Sequence, residues 1–86
     1  MPVLDIEREV HSFVISNFLF DQSVDLEPDD SLLDRGLIDS TGVIELVDFI
    51  EERYAIKVED EEVIPANLDS VRNVAKYVFG KLKRVA

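Results

Sequence analysis

A chain of 86 residues has room for one small domain with little core to spare, and 47% hydrophobic content excludes a wholly disordered one. The absence of cysteine excludes a disulfide framework, a thiolate metal site and a cysteine nucleophile. A formal net charge of −10 sets the chain against nucleic-acid phosphates and anionic membrane and directs it towards basic protein surfaces.

The first predicted element is a helix from about Leu4 to Leu19, with Ile6, Val10, Phe13 and Val14 at helical spacing. His11, the only histidine, falls off that face and reads as an exposed bystander. Residues 20–38 form a long connection with Pro28 and the acidic pair Asp29-Asp30. Leu26, Leu32, Leu33 and Leu37 are expected to tack it onto the core, with a one-turn helix possible at Ser31–Arg35. Gly36 suits a tight approach turn, and Asp39 is a good helix cap.

A second helix is expected from Asp39/Ser40 to about Tyr54. At about 100° per residue, Val43, Leu46, Val47, Ile50 and Tyr54 share one inward stripe, with Glu45, Asp48 and Glu52 opposite it and Ile44 and Phe49 on the flanks. A short third helix is expected around Asp60–Ile64, broken by Pro65. The last helix starts at Asp69/Ser70 and aligns Val71, Val74, Ala75, Val78 and Leu82, with Gly80 favouring fraying late in it. Ile56–Val58 is too short to build a sheet. The expected fold is all-α: a single domain over 1–86, a small four-helix bundle with three longer helices and one short crossing helix.

Catalytic chemistry is hard to assemble from these residues. No Ser-His-Asp arrangement can be built around a solvent-facing Ser40. The acidic loop Asp25–Asp34 lacks the ligand alternation and closing glutamate of an EF-hand, so no dedicated metal site is expected. Ser40, by contrast, is placed in the first turn of a helix, where a negatively charged group attached to its hydroxyl would meet the favourable end of the helix dipole.

The segment Gly36-Leu37-Ile38-Asp39-Ser40-Thr41 resembles the attachment motif of acyl carrier proteins. The resemblance continues through Glu45-Leu46-Val47, Glu51-Glu52, Asp60-Glu61-Glu62 and Ser70-Val71, up to Val78. It implies an acyl-carrier-protein-like bundle, not itself catalytic. Ser40 would receive a covalent phosphopantetheine arm from coenzyme A through a phosphopantetheinyl transferase, and Asp39 would serve transferase recognition. The arm would bring the thiol that the sequence lacks and hold cargo as a thioester. The implied partners are that transferase, an acyl or aminoacyl ligase, and a downstream transferase or synthase with a basic docking surface.

The docking face is expected on the second helix: Glu45, Asp48 and Glu52, with Glu51 to one side and Ile44 and Phe49 as apolar contacts. Such charges speed encounter and select partners more than they tighten binding. The basic end, five cations and no acid in residues 71–86, reads as a complement to a helix C-terminus. The N-terminal stretch lacks the basic and apolar regions of a signal peptide, and no apolar run reaches bilayer-spanning length, so a cytoplasmic monomer without membrane insertion is expected. Thr41, Gly42 and Asp48 depart from the commonest fatty-acid carrier pattern and look more like D-alanyl or specialised carriers, which implies a small polar cargo. The competing expectations are an acidic helical interaction module without a prosthetic group and, more weakly, a calcium-responsive protein.

Overall fold

Ile6, Val10 and Val14 are completely buried and form the inward stripe of helix α1, Val3–Phe18. The chain continues through α2 (Ser40–Tyr54), a 3-10 turn (Asp60–Glu62), α3 (Pro65–Leu68) and α4 (Val71–Val85). The computed structural model describes residues 2–18 and 25–85, and none of these forms a strand. The expected last residue of the first helix, Leu19, and the start of the connection after it lie outside the described residues. The fold is the expected all-α bundle, with three longer helices and a short one.

α1 lies chiefly on α4, whose Val71, Val74, Ala75 and Val78 are buried against it. From α2, Leu46, Ile50 and Tyr54 enter the same core, while Val43 and Val47 are half-buried at its margin. Phe49 leaves the flank expected for it: its ring stacks on Phe13 of α1, centroids 4.2 Å apart. Tyr54 and Arg53 both reach Glu9 of α1, with the Tyr54 hydroxyl donating at 2.6 Å. Burial first, and then that carboxylate, push the Tyr54 hydroxyl above its usual range.

α2 stops at Ala55, which takes a left-handed backbone at φ 55°. Ile56 and Val58 are buried but belong to no strand, so no sheet begins there. The short helix sits later than expected. Residues 60–62 form only a 3-10 turn, and Pro65 opens α3 instead of ending a helix. A first-turn proline lacks an N–H that would have no helical acceptor anyway, and its fixed φ suits that position. α4 begins where Ser70 accepts the Asn73 N–H at 3.0 Å, and it stays helical through Gly80.

The connection before α2 is held by polar bonds as much as by leucines. Leu26 and Leu32 are buried as expected, Leu37 is half-buried, and Leu33 is 45% exposed. Arg72 of α4 donates to Glu7 of α1 and Asp29 of the connection, and its backbone N–H donates to the Pro28 carbonyl at 2.9 Å. Arg35 binds Asp30 at 2.7 Å and the Asp25 carbonyl at 2.8 Å. Asp29 and Asp30 are therefore engaged by arginines within the fold.

Candidate functional site

The approach to α2 is a single helical turn with a Schellman ending. The Arg35 N–H donates to the Ser31 carbonyl, Gly36 N–H to Leu33 and Leu37 N–H to Leu32, at 3.1, 3.0 and 2.9 Å. Gly36 occupies the left-handed position that closes such a turn, at φ 68°, where a side chain would be strained. The chain then reverses into Ile38 and Asp39. Asp39 is the N-cap of α2: its Oδ1 accepts the Gly42 N–H at 2.8 Å, and its carbonyl accepts the Val43 N–H at 2.9 Å.

Ser40 follows as the first helical residue and is exposed. Its own N–H and that of Thr41 have no acceptor among the described residues. An anionic group on the Ser40 hydroxyl would thus sit by free donors and the positive end of the α2 dipole. These residues fit a phosphodiester.

Beside Ser40 opens an apolar cleft of about 340 Å³. Ile38, Val43 and Ile44 form its near side, Val63, Ile64 and Pro65 its far side, and Leu33 and Leu68 also line it. This explains the exposure of Leu33, whose backbone N–H is held by Asp69 while its side chain faces the opening. The pattern read from the sequence placed Leu33 on the core and did not reveal the cleft. Its lining comes from three separate stretches, and only the fold joins them.

Gly42 has a structural reason of its own. It is buried, and a Cβ there would lie 2.6 Å from Ile38 Cγ1. The glycine lets Ile38 fold down over the first turn of α2, and Ile38 and Val43 hold the two positions of a hydrophobic staple and line the same cleft. An isolated glycine in a helical pattern is the available signal for such a close approach.

On the outer side of α2, Ile44 (62% exposed), Glu45, Asp48 and Glu52 all face solvent. Glu45, Asp48 and Glu52 rim a shallow groove floored by the Phe13–Phe49 stack. Glu51 has a separate role: its Oε2 accepts the Val58 N–H at 2.9 Å and fixes the turn after α2. His11 is half-buried, on a face of α1 remote from these residues.

Two further Asp-Ser pairs occur, Asp30-Ser31 and Asp69-Ser70, and both differ in environment: the Ser31 hydroxyl accepts the Asp34 N–H at 3.1 Å and donates to Asp69. Ser70 is only 4% exposed, and its hydroxyl caps α4. Both Asp69 carboxylate oxygens are bonded, one to the Leu33 N–H at 3.0 Å and one to the Ser31 hydroxyl at 2.5 Å.

Three long helices and one short one, with no strand among the described residues, define an acyl-carrier-like helical bundle. Residues 19–78 match the family model for the phosphopantetheine attachment site, well over half of the sequence, and the chain belongs to that family. Its prosthetic group is accordingly a covalently attached phosphopantetheine. A protein of Serratia sp. (strain ATCC 39006) described as probable acyl carrier protein PigG is 23% identical over 73 residues, 85% of this chain and 84% of that relative. Carrier proteins of this family are generally not catalysts themselves.

Proposed function

We propose that residues 1–86 form a single carrier domain that bears phosphopantetheine on Ser40 and shuttles a thioester-linked acyl or aminoacyl group between partner enzymes. The observation that carries this is the placement of Ser40: exposed, first in a capped helix, next to unpartnered backbone N–H groups and at the mouth of an apolar cleft. Asp39 holds the helix start in place through its bond to Gly42 and is also the residue a transferase would recognise beside the serine. When attached, the prosthetic group supplies the terminal thiol that a cysteine-free chain lacks.

Partners approach from the outer face of α2. Glu45, Asp48 and Glu52 attract a basic surface, and Ile44 supplies the apolar contact within reach of Ser40. These partners are a phosphopantetheinyl transferase, a ligase that loads the cargo and a transferase or synthase that removes it. A monomer acting in the cytoplasm suits these exchanges. Among cargoes, the cleft favours an acyl chain over the small polar group suggested by Thr41, Gly42 and Asp48. The burial of Gly42 under Ile38 gives that departure a packing cause instead of a cargo cause. A charged aminoacyl group would stay outside the cleft, because burying an unpaired ammonium is costly.

The test is intact-mass analysis after incubation with coenzyme A and a transferase of broad specificity. One phosphopantetheine should be added to the wild type and none to Ser40→Ala, with Ser70→Ala modified like the wild type. Addition to Ser40→Ala would sink the site, and an unmodified wild type would favour the acidic interaction module without a prosthetic group. Loading the modified protein with alanyl and octanoyl groups then separates the cargoes. Amide shifts at Val43, Ile44 and Ile64 should respond to octanoyl and not to alanyl.

A further inference from the structure

Residues 59–67 contain no buried side chain, yet they carry Val63, Ile64 and Pro65, the far wall of the cleft beside Ser40. Burial anchors this segment only at its ends, through Val58 and Leu68. Between the anchors, a single ion pair joins it to the helix behind among the described residues. Glu62 Oε1 lies 2.7 Å from Lys81 Nζ of α4. The two side chains are 23% and 17% exposed, so solvent screens this pair less than a surface one.

Glu62 is also tied within its own segment. Its Oε1 accepts the Glu59 N–H at 3.0 Å, and its carbonyl accepts the Asn67 side-chain amide at 2.9 Å and the Ile64 N–H at 3.0 Å. It is thus the node where the 3-10 turn, the entry to α3 and α4 meet, directly before Val63 and Ile64. Lys81 extends along Tyr77, its ammonium 5.8 Å from the ring centroid. The Tyr77 hydroxyl is buried beside Glu62, and burial first and then the Glu62 carboxylate push it up to about 12. It stays neutral and cannot replace either charge of the pair.

We propose that Glu62 and Lys81 are positioning residues for the carried group. Their ion pair pins the Val63–Pro65 wall at a set distance from α2 and so determines how an apolar chain tethered at Ser40 lies in the cleft. Neither residue lines the cleft, so both act through Val63 and Ile64. This rests on Ser40 as the tether. α3 holds the Pro65 end of the wall against α4, and for Val63 and Ile64, which have no buried side chain beside them, the pin is the side-chain tie to α4 that resists displacement.

The experiment has an arm that needs no prosthetic group. In the unmodified protein, amide exchange is measured at Asn67 and Leu68, whose N–H groups both donate to the Ile64 carbonyl. Lys81→Met keeps the stem over Tyr77, and Glu62→Gln keeps an acceptor for the Glu59 N–H. Each should lower protection at Asn67 and Leu68 by about fivefold, the upper end for an ion pair, with α1 unchanged. The double variant should be no worse than either single one. In the second arm, octanoyl attached through Ser40 should shift the Val63 and Ile64 methyls strongly in the wild type and weakly in both single variants. Wild-type protection in both single variants, or additive losses in the double one, overturns the pin. Lowered protection with unchanged octanoyl shifts overturns its role in positioning cargo. Failure to modify Ser40 overturns the tether and with it the cargo role, while the exchange arm still decides whether the pin exists.

Discussion

Replacing Gly42 by alanine sets two effects of opposite sign against each other. Within a helix, alanine is favoured over glycine by about 1 kcal/mol. Here the new Cβ would stand 2.6 Å from Ile38 Cγ1 and 3.2 Å from Phe18 Cε1. Ile38 is 7% exposed, and its branched side chain has few rotamers open to it. The contact is with the first carbon beyond Cβ, so relief requires Ile38 to turn χ1 out of its packed rotamer or its backbone to shift. Overpacking of that kind costs about 1–3 kcal/mol, which leaves a net loss of about 1 kcal/mol. In a domain of this size that lowers Tm by about 4–8 °C. Urea unfolding should show a lower midpoint at unchanged slope, and amide shifts should change at Ile38, Asp39 and Ser40. A midpoint raised by the full propensity gain would refute the close packing of Ile38 on the helix start.

Asp39→Asn should keep the cap and nearly all the stability while slowing transferase modification, whereas Asp39→Ala should also lose about 1 kcal/mol in urea unfolding. Equal modification rates for wild type and Asp39→Asn would reduce Asp39 to a cap. Reversing any two of Glu45, Asp48 and Glu52 to lysine should slow modification at low salt with little change in stability. The wild-type rate should itself fall as salt rises, because attraction between exposed charges is screened beyond about 10 Å at roughly 0.1 M ionic strength. The Glu62 carboxyl is held below its ordinary value, first by Lys81 and then by the Glu59 amide. The contribution of the pair is therefore complete above the ordinary glutamate range and is lost as pH falls through the lowered value. Protection factors at Asn67 and Leu68 should drop on acidification in the wild type and drop less in Lys81→Met, where the Glu59 amide still favours the charged carboxyl, with Glu51, Glu59, Tyr77 and Lys76 as the other titratable groups nearby.

The helices were legible where spacing and local chemistry agree. Ile6, Val10 and Val14 repeat every fourth residue, Asp39 and Ser70 are capping types, and Gly36 precedes a reversal of the chain. Helical spacing did not report what lies across from a residue. Leu33 looked like any loop leucine until the segment at Val63–Pro65 stood opposite it. Glu51 looked like its acidic neighbours, but its carboxylate is bonded to a backbone N–H seven positions later. Pro65 was misread because the same ring ends one helix and starts another, and only the chain path decides which. The serine could be picked out by its local frame, whereas the cleft beside it is a product of three segments meeting.

Asp69 and Ser70 repeat the dipeptide at the head of α2, but the fold conceals them. The carboxylate fastens the incoming connection through Ser31 and Leu33, and the hydroxyl is turned in to cap α4. Of the three Asp-Ser pairs in the sequence, Asp30-Ser31, Asp39-Ser40 and Asp69-Ser70, a modifying enzyme finds one with its hydroxyl free at the head of a helix on the native protein, since Ser31 is bonded to Asp69 and Ser70 is buried. Unfolding releases the other two. Stoichiometry thereby becomes a gauge of integrity. A second added group would mark a molecule whose connection has come loose from α4, so the mass spectrum that locates the modification also counts damaged molecules.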